Sequence, residues 1–411
     1  MKQFLHAHAT HPDAHAALAL AAAQVEAQRR LPGHAAEPTL GWLYFTDHYA
    51  AQADALLGEL RQRWPGVAWV GAVGIGISAC GVEYFDEPAL ALMLAELPRE
   101  QFSVFSGVRP LADFAAHTAQ VHADPATADL GELITDLSRR TSSGYLFGGL
   151  ASARNRTLHI ADDVLQGGLS GVAFGADVAL VSRVTQGCQP VGPLRNVTAC
   201  DRNVVTGLDD EPALNCLLRD LQLTEQAEPR QALPRLRQTL VGLSDPPGAA
   251  HDGTGRAAPP TRRGAFGPDT RVRHLIGLDP ARRGIAIGDL VAPGMQLAFC
   301  SRDTAAARRD LVRICAEIRE ELEPESLPLA AATALKGNDP AEAGAAAHGM
   351  AGAIYVSCTG RGGPHFGAPS AELAIVRHAL GEVPLVGFFA AGEIAHQHLY
   401  GYTGVLTVFR A

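Results

Sequence analysis

The stretch Ala353-Ile-Tyr-Val-Ser-Cys-Thr-Gly-Arg-Gly-Gly-Pro-His-Phe-Gly367, followed by Val383-Pro-Leu-Val-Gly-Phe-Phe-Ala-Ala-Gly-Glu-Ile394 and His396-Gln-His-Leu-Tyr-Gly401, decides the fold. Two runs of apolar and β-branched residues each end in a glycine-rich loop that carries Cys, Arg, Glu or His. A segment with helical apolar spacing, Ser370 to Leu380, lies between them. Strand, helix and strand in this order predict an α/β unit whose strand-end loops approach a ligand closely, because glycine permits that approach.

A weaker copy of the same order lies near the N-terminus. Leu40 to Thr46 is predicted to be a buried strand, Ala50 to Trp64 a helix, and Val67 to Ile77 a second strand that runs into glycines. Val70-Gly71 falls in the same place as Val386-Gly387. The chain is therefore predicted to be an α/β (α+β) protein with two related mixed-sheet domains, helices packed on the sheets and an internal duplication.

Composition and local signals predict two domains in a chain of 411 residues. Residues 1–225 are predicted to form the first domain and residues 226–411 the second. Residues 246–268, dense in Pro, Gly and Ala, offer too little apolar surface to bury and are predicted to be a mobile loop. The segments Leu240–Leu243 and Arg271–Ile276 are expected to pair as strands across it.

Charge and composition exclude several classes of function. The net charge of −9 argues against a nucleic-acid backbone as partner. No run reaches the roughly 18 apolar residues that span a bilayer, and no signal peptide is recognisable, so the expected location is cytoplasmic. Seven scattered cysteines without a CxxC pair suit a reducing compartment. Lysine occurs only at Lys2 and Lys336, and neither lies in a Walker A sequence, which excludes P-loop chemistry.

The segment Gly74-Ile-Gly-Ile-Ser-Ala79 has the spacing of a dinucleotide-binding fingerprint. Gly81 and Pro88 oppose the helix that such a fingerprint requires. We therefore interpret this segment as a glycine turn that joins two strands, and we include Gly74 among the candidate ligand contacts.

Cys358 directly follows a predicted strand and lies beside Gly360, Arg361 and His365. A thiolate there would be stabilised by Arg361, and His365 would serve as its base, which is the arrangement that a cysteine nucleophile needs. A small, buried strand-end residue is the alternative interpretation of Cys358. Arg361 presents its donors in a fixed fork suited to a carboxylate or phosphate. Its alternatives are a solvated surface arginine or a buried pair with Glu393.

Glu393 follows an apolar strand and either accepts a ligand ammonium group or satisfies Arg361. Together, Arg361 and Glu393 would hold both ends of a zwitterion. His396 and His398 alternate with Gln397, so that in a strand both would point to one face, a spacing compatible with metal or haem ligation. Two histidines do not close a metal site, whereas one proximal histidine suffices for haem.

Several motifs in a fixed order resemble those of proteins with FIST N-terminal and C-terminal domains. The resemblance covers the chain from about residue 34 onward and rests on Gly148–Ser152, Gln186–Gly192, Gly277–Pro280 with Gly288-Asp289, Ser357–Gly362, and Gly387–Ile394 with His398–Gly401. It implies an intracellular sensory module that binds small ligands, amino acids among them, in bacterial signalling proteins or beside a eukaryotic F-box. Some relatives resemble haem-binding nitric-oxide sensors. The loop Gly71–Ser78 departs from the family, since it lacks the Cys-Ser/Thr and Glu often seen there, and no output domain is expected.

These observations predict a sensory protein that holds a small, amino-acid-like ligand between glycine-rich strand-end loops and signals in trans to a partner protein. No cofactor, catalysis, membrane or nucleic-acid partner is predicted. The alternatives are a haem-binding gas or redox sensor with His398 or His396 as ligand, and an enzyme with Cys358 as nucleophile and His365 or His398 as base. The predicted ligand-binding residues are Cys358, Gly360, Arg361, Gly362, His365, Phe389, Glu393, His396, His398, Tyr400, Gly74 and Cys188.

Overall fold

The computed structural model describes residues 1–223, 229–246, 270–322 and 349–411. The predicted mobile loop beyond Pro246, the predicted boundary at residue 225 and Lys336 lie outside these ranges. The chain forms two compact units. The first takes residues 1–185, 308–399 and 403–411, and the second takes residues 186–307 and 400–402. The division of the sequence into domains 1–225 and 226–411 stays a prediction.

Up to residue 186 the chain contains β1 (Leu5–Thr10), α1 (Ala14–Arg29), β2 (Leu40–Thr46), a 3-10 helix (Asp47–Gln52), α2 (Ala53–Arg63), β3 (Ala68–Gly74), β4 (Gly76–Ala79), β5 (Val82–Phe85), β6 (Ala89–Ala95), a 3-10 helix (Arg99–Gln101), β7 (Phe102–Ser106), β8 (Thr118–Ala123), α3 (Leu130–Arg139), β9 (Tyr145–Leu150), β10 (His159–Ala161), β11 (Val164–Leu165), β12 (Leu169–Phe174) and β13 (Leu180–Gln186).

The later elements are β14 (Cys188–Pro190), β15 (Arg195–Asp201), β16 (Val204–Leu208), β17 (Glu211–Pro212), α4 (Ala213–Asp220), α5 (Pro229–Gln238), β18 (Thr239–Ser244), β19 (Arg271–Asp279), β20 (Gly284–Ile287), β21 (Gln296–Arg302), α6 (Thr304–Leu322), β22 (Met350–Cys358), a 3-10 helix (Gly363–Phe366), α7 (Ala371–Leu380), β23 (Leu385–Ala390), β24 (Glu393–His396), β25 (His398–Tyr400) and β26 (Thr403–Arg410). These elements confirm the α/β class with mixed sheets.

Local signals in the sequence account for several of these elements. β18 and β19 pair in antiparallel register, as expected for Leu240–Leu243 and Arg271–Ile276. The prediction of one strand from Val67 to Ile77 is wrong. The glycines there end β3 at Gly74, and the chain turns into β4, which belongs to a different sheet. The interpretation of this segment as a glycine turn between two strands is confirmed.

The first unit contains both predicted copies of the β-α-β module and a third copy. In each copy a strand, a helix and a second strand form a parallel pair: β2 with β3, β8 with β9, and β22 with β23. A short hairpin follows each pair, and the chain then returns antiparallel to the first strand as β6, β12 or β26. One further strand pairs at the edge of each copy: β1 in the first, β7 in the second and β13 in the third. These four strands of each copy thus belong to one six-stranded sheet.

The hairpins are exchanged cyclically among the three copies. β4 of the first copy pairs with β23 of the third, β24 of the third pairs with β9 of the second, and β10 of the second pairs with β3 of the first. Ser152 lies at a crossover point: its Oγ accepts a hydrogen bond from Ile75 N and donates one to Phe389 O, so that it joins all three copies. The three modules therefore cannot be separated without breaking a sheet.

A glycine holds the same register position in the second strand of each copy. Gly71, Gly148 and Gly387 lie opposite a residue of the first strand. A Cβ atom at these glycines would lie 1.8, 2.0 and 1.7 Å from the carbonyl oxygen of that residue. Only glycine allows this approach of the two backbones. The Val-Gly match seen in the sequence therefore reflects a steric requirement of the module.

The second unit is a closed antiparallel sheet. Strand pairing runs from β21 through β15, β16, β20, β19 and β18, and β18 pairs again with β21. The alternating side chains on the inner face, with the apolar face of α4, form one core of Val197, Val205, Leu208, Leu214, Leu217, Val241, Leu243, Ile285, Ile287, Leu297 and Phe299, among others.

Candidate functional site

Two parallel strands of the third copy end side by side at Cys358 and Ala390, which lie opposite each other in the register. In α/β sheets the carboxyl ends of parallel strands are the common place for a ligand site. Glu393 begins β24 three residues beyond Ala390, and its Oε2 accepts hydrogen bonds from the backbone N (3.1 Å) and the Oγ1 (2.7 Å) of Thr403. The structure thus brings the predicted residues Cys358 and Glu393 to one strand end.

Glu393 is fully buried, with 0% of its surface exposed. Its Oε1 accepts no hydrogen bond from a nitrogen or oxygen donor of the described residues. Burial raises the pKa of Glu393 to about 8, and hydrogen bonds from Thr403 and the Cys358 thiol and the charge of Arg361 oppose this rise. The Cys358 thiol is only a weak donor. The site therefore holds a carboxyl group whose second oxygen has unused capacity to accept a hydrogen bond.

The raised pKa of Glu393 predicts a pH-dependent stability. The folded protein keeps this proton up to about pH 8, whereas the unfolded chain loses it near the usual pKa of 4.5. Between these values the folded state holds one more proton, so this group makes stability fall by up to about 1.4 kcal/mol per pH unit as pH rises. Glu393→Gln cannot ionise and should remove this contribution. Urea unfolding from about pH 5 to about pH 8 measures it, and equal slopes for variant and wild type would contradict the assignment.

Arg361 is buried beside the site, with 1% of its surface exposed, and forms an ion pair with Glu372 of α7. Its Nε donates to Glu372 Oε1 at 2.7 Å, and its two terminal nitrogens donate to the backbone oxygen and Oγ1 of Thr185. Tyr355 and Ser357 also donate to Glu372. The buried partner is therefore Glu372 and not Glu393, and the fork of Arg361 binds groups of the protein itself.

Burial lowers the pKa of Arg361, but the neighbouring Tyr355 and Glu372 outweigh it, so the net pKa is raised. The guanidinium therefore stays charged within the protein. A phosphate or carboxylate ligand could reach it only by displacing Glu372 or Thr185.

Glu83, which the sequence reasoning missed, organises the start of α7 from a different copy. Its carboxylate accepts hydrogen bonds from the backbone N–H groups of Gly363 (2.8 Å), Glu372 and Leu373 (both 3.1 Å). Burial raises its pKa, and these hydrogen bonds oppose the rise. A carboxylate at a helix N-terminus satisfies donors that have no partner within the helix. No local signal marks this residue, because its partners lie about 280 positions away in the sequence.

The continuous strand expected to carry both His396 and His398 is not formed. β24 ends at His396, whose φ of 53° is left-handed, and a turn at Gln397 precedes β25. The ring of His396 packs edge-on against Tyr145 at 4.5 Å between centroids. Within the described residues no group of three or more His, Cys, Asp or Glu side chains is placed to hold a metal ion. The alternating spacing therefore does not correspond to one continuous strand.

The loop after Cys358 contains the other predicted residues of the third copy. Gly360 is half-buried, and His365 lies half-buried on the 3-10 helix with its ring edge-on to Phe366. A Cβ at Gly362 would lie 2.1 Å from the ring of Phe389, so the loop packs directly on that ring. Phe389 is itself fully buried. Gly362 and Phe389 therefore shape the loop.

Gly74, Tyr400 and Cys188 lie elsewhere. Gly74 ends β3 of the first copy, where a Cβ would lie 2.3 Å from Gly76 O. Tyr400 and Cys188 belong to the second unit, in which both are buried. Cys188 packs there with Cys300 in a small core. These residues are thus parts of the fold, and their contact with a ligand stays a prediction.

The three copies allow the Glu393 position to be compared within the chain. When the shared glycines are aligned, Glu393 corresponds to His159 in the second copy and to Ile77 in the first. His159 is buried, with Nδ1 at 2.6 Å from Ser170 Oγ and Nε2 at 3.0 Å from Gly167 O. Both of its nitrogens are satisfied, and isoleucine has no polar atom. Among the three equivalent positions, only Glu393 combines burial with an oxygen that accepts from no nitrogen or oxygen donor of the described residues.

Among the described residues, no helix is both long and apolar enough to cross a membrane.

Comparison with known proteins places these features in a family. The family model for the FIST N domain matches residues 39–211, and that for the FIST C domain matches residues 213–396. An uncharacterized protein of Mycobacterium tuberculosis strain H37Rv is 31% identical over 420 aligned residues that cover 97% of each chain. An uncharacterized protein of Mycobacterium bovis is 29% identical over 422 aligned residues, again with 97% of each chain covered. FIST domains are associated with sensory roles in signal transduction and with the binding of small ligands. The chain, with its paired domain matches and its glycine-rich strand ends, therefore belongs to the FIST family.

Proposed function

We propose that this protein is an intracellular sensor that binds a small amine-bearing ligand at the strand end of Cys358 and Glu393 and signals its occupancy in trans to a partner protein. The observation that carries the proposal is Glu393 Oε1, which is buried and has no nitrogen or oxygen donor among the described residues. A ligand ammonium group would supply that donor, and its charge would favour the ionised carboxylate.

The contacts of Arg361 refine the expected ligand class. The guanidinium of Arg361 already donates hydrogen bonds to Glu372 and Thr185, so it does not need a ligand carboxylate as a partner. The ammonium group is therefore the required feature, and an amino acid and its amide are expected to bind alike. Entry requires the loop after Cys358 to move, since Cys358 is 8% exposed and Glu393 is not exposed at all.

A panel of matched compounds tests this proposal. Amino acids, their amides and their N-acetyl derivatives are titrated by calorimetry, after a native mass spectrum of the freshly purified protein has been examined for a retained ligand. The amino acids and amides are expected to bind, and the N-acetyl derivatives, which lack an ammonium group, are not. Glu393→Gln should weaken binding at least about tenfold, which corresponds to about 1.4 kcal/mol.

Glu83→Gln is the matched control, because it changes another buried carboxylate of the same unit that already has three backbone donors. It should lower stability and leave ligand affinity in place. Equal affinity of Glu393→Gln and wild type, or binding of the N-acetyl compounds, would remove Glu393 from the site. The haem and cysteine-enzyme alternatives stay predictions from the sequence, and a Soret band in the purified protein would favour the haem alternative.

A further inference from the structure

The second unit contains a pair of thiols that the proposed function does not use. Cys188 lies on β14 and Cys300 on β21, which pair in antiparallel register with Cys188 opposite Arg302 and Pro190 opposite Cys300. Residues two apart on a strand share a face, so both thiols project to the same side of the sheet. They pack together with Leu240 and Val272 in one small buried core. The pairing was not visible in the sequence, where 111 residues separate the two cysteines.

The two cysteines are neighbours in this core. The neighbouring Cys188 is the main cause of the raised pKa of Cys300, with burial as the second cause. Cys188 keeps 5% of its surface exposed, whereas Cys300 keeps none. Cys188 is therefore the thiol that a small oxidant reaches more readily.

Cys188 lies beside an arginine in the sheet. Arg302 lies opposite Cys188 in the register, and its guanidinium carbon lies 5.1 Å from the ring centre of Tyr402, which packs on the thiol core. Since it is the more exposed of the two, Cys188 is the candidate for the attacking thiol, and Cys300 has the position of a resolving one.

We propose that Cys188 and Cys300 form a reversible disulfide when a peroxide reaches the second unit, so that this unit carries an oxidant-sensitive site separate from Glu393. The Cys188 thiolate attacks one peroxide oxygen, which breaks the O–O bond and, with one proton, gives a sulfenic acid and one water or alcohol. The Cys300 sulfur then attacks the sulfenic sulfur, forms the S–S bond and releases water. Two thiols lose two electrons and two protons, and the peroxide is reduced by the same two electrons.

The new bond would change the sheet. A disulfide holds its sulfurs at about 2.05 Å, closer than two unbonded sulfurs can lie, so β14 must move toward β21. β14 is only three residues long, and such a short strand has few ladder hydrogen bonds to oppose this movement.

The test treats the full-length protein with hydrogen peroxide, blocks the remaining thiols with an alkylating reagent and maps the peptides by mass spectrometry. We expect an intact mass lower by about 2 Da, for the loss of two hydrogens, and a linked peptide that contains Cys188 and Cys300. Dithiothreitol should restore the original mass. Recovery of both cysteines in alkylated form, or their linkage to other cysteines, would overturn the proposal without the need for any variant.

Variants separate the two roles. Cys300→Ser should stop at a sulfenic acid on Cys188, which dimedone traps as an adduct, and Cys188→Ser should leave Cys300 unoxidised at the same dose. Cys216→Ser is the matched control, since Cys216 is a buried thiol of the same unit outside this pair. It should form the disulfide as the wild type does. An unchanged mass loss of about 2 Da in Cys300→Ser would contradict the assignment of Cys300 as the resolving thiol.

Discussion

Replacement of Gly387 by alanine is expected to prevent the first unit from folding. The added Cβ would lie 1.7 Å from Tyr355 O and 2.6 Å from its carbonyl carbon. Both atoms belong to the backbone of the neighbouring strand, so no rotation of a side chain relieves the overlap, and β22 and β23 would have to part along their parallel register. The cost should exceed the roughly 4–5 kcal/mol that marks exceptional single substitutions. Circular dichroism and the yield of soluble protein measure the loss.

Gly58→Ala is the matched control for this prediction. Gly58 lies within α2, and a Cβ there would have no heavy atom within 4 Å. Alanine at an open helical position should raise stability by about 0.5–1 kcal/mol. A Gly387→Ala protein that folds with a loss of less than about 1 kcal/mol would show that the two strands do not approach as described.

Arg361→Ala is expected to destabilise the folded protein by about 3–5 kcal/mol, because it leaves the buried carboxylate of Glu372 without its ionic partner. If Arg361 instead bound a ligand carboxylate or phosphate, as interpreted from the sequence, the variant would keep its fold and lose its affinity for the ligand. Denaturant unfolding together with ligand titration therefore distinguishes a structural ion pair from a ligand contact.

A double variant completes this test. Glu372→Gln keeps an acceptor for Tyr355 and Ser357 but removes the buried charge. Combined with Arg361→Met, it should cost clearly less than the sum of the two single substitutions, because neither variant residue leaves an unpaired charge. Additive losses would mean that the ion pair contributes little of the stability of α7.

The sequence predicted the first and third copies of the module and missed the second. Strands β2, β3, β22 and β23 are continuous apolar runs, which are easily recognised. β8 contains Gln120 and His122, which break the apolar pattern. Both are buried, and each forms a side-chain hydrogen bond. Gln120 Oε1 accepts from Trp42 Nε1 at 2.6 Å, and His122 Nε2 lies 3.0 Å from Tyr44 OH. Their partners lie on β2, so the polar residues of β8 form these hydrogen bonds only when the two copies are packed together.

The candidate site was predicted in part for a related reason. Cys358 and Glu393 were recognised because strand ends and glycines mark them in the sequence. Glu372, the partner of Arg361, was not recognised, since in the sequence it is an ordinary residue in the first turn of a helix. The one-face geometry expected for His396 and His398 assumed a continuous strand, but the left-handed backbone of His396 ends it. Partners distant in sequence and local backbone reversals leave no mark in composition or spacing.

The cyclic exchange of hairpins also has a consequence for biosynthesis. β4 emerges early, but its partner β23 is encoded about 300 residues later. At roughly 5–20 residues per second, a ribosome needs on the order of 15–60 s to bridge that interval. During this time β4 has no partner on one side, and unpaired strand edges promote association with other chains. The last of the three sheets is completed only when the C-terminal strands are made. A nascent chain of this protein is therefore expected to need protection until synthesis is nearly finished.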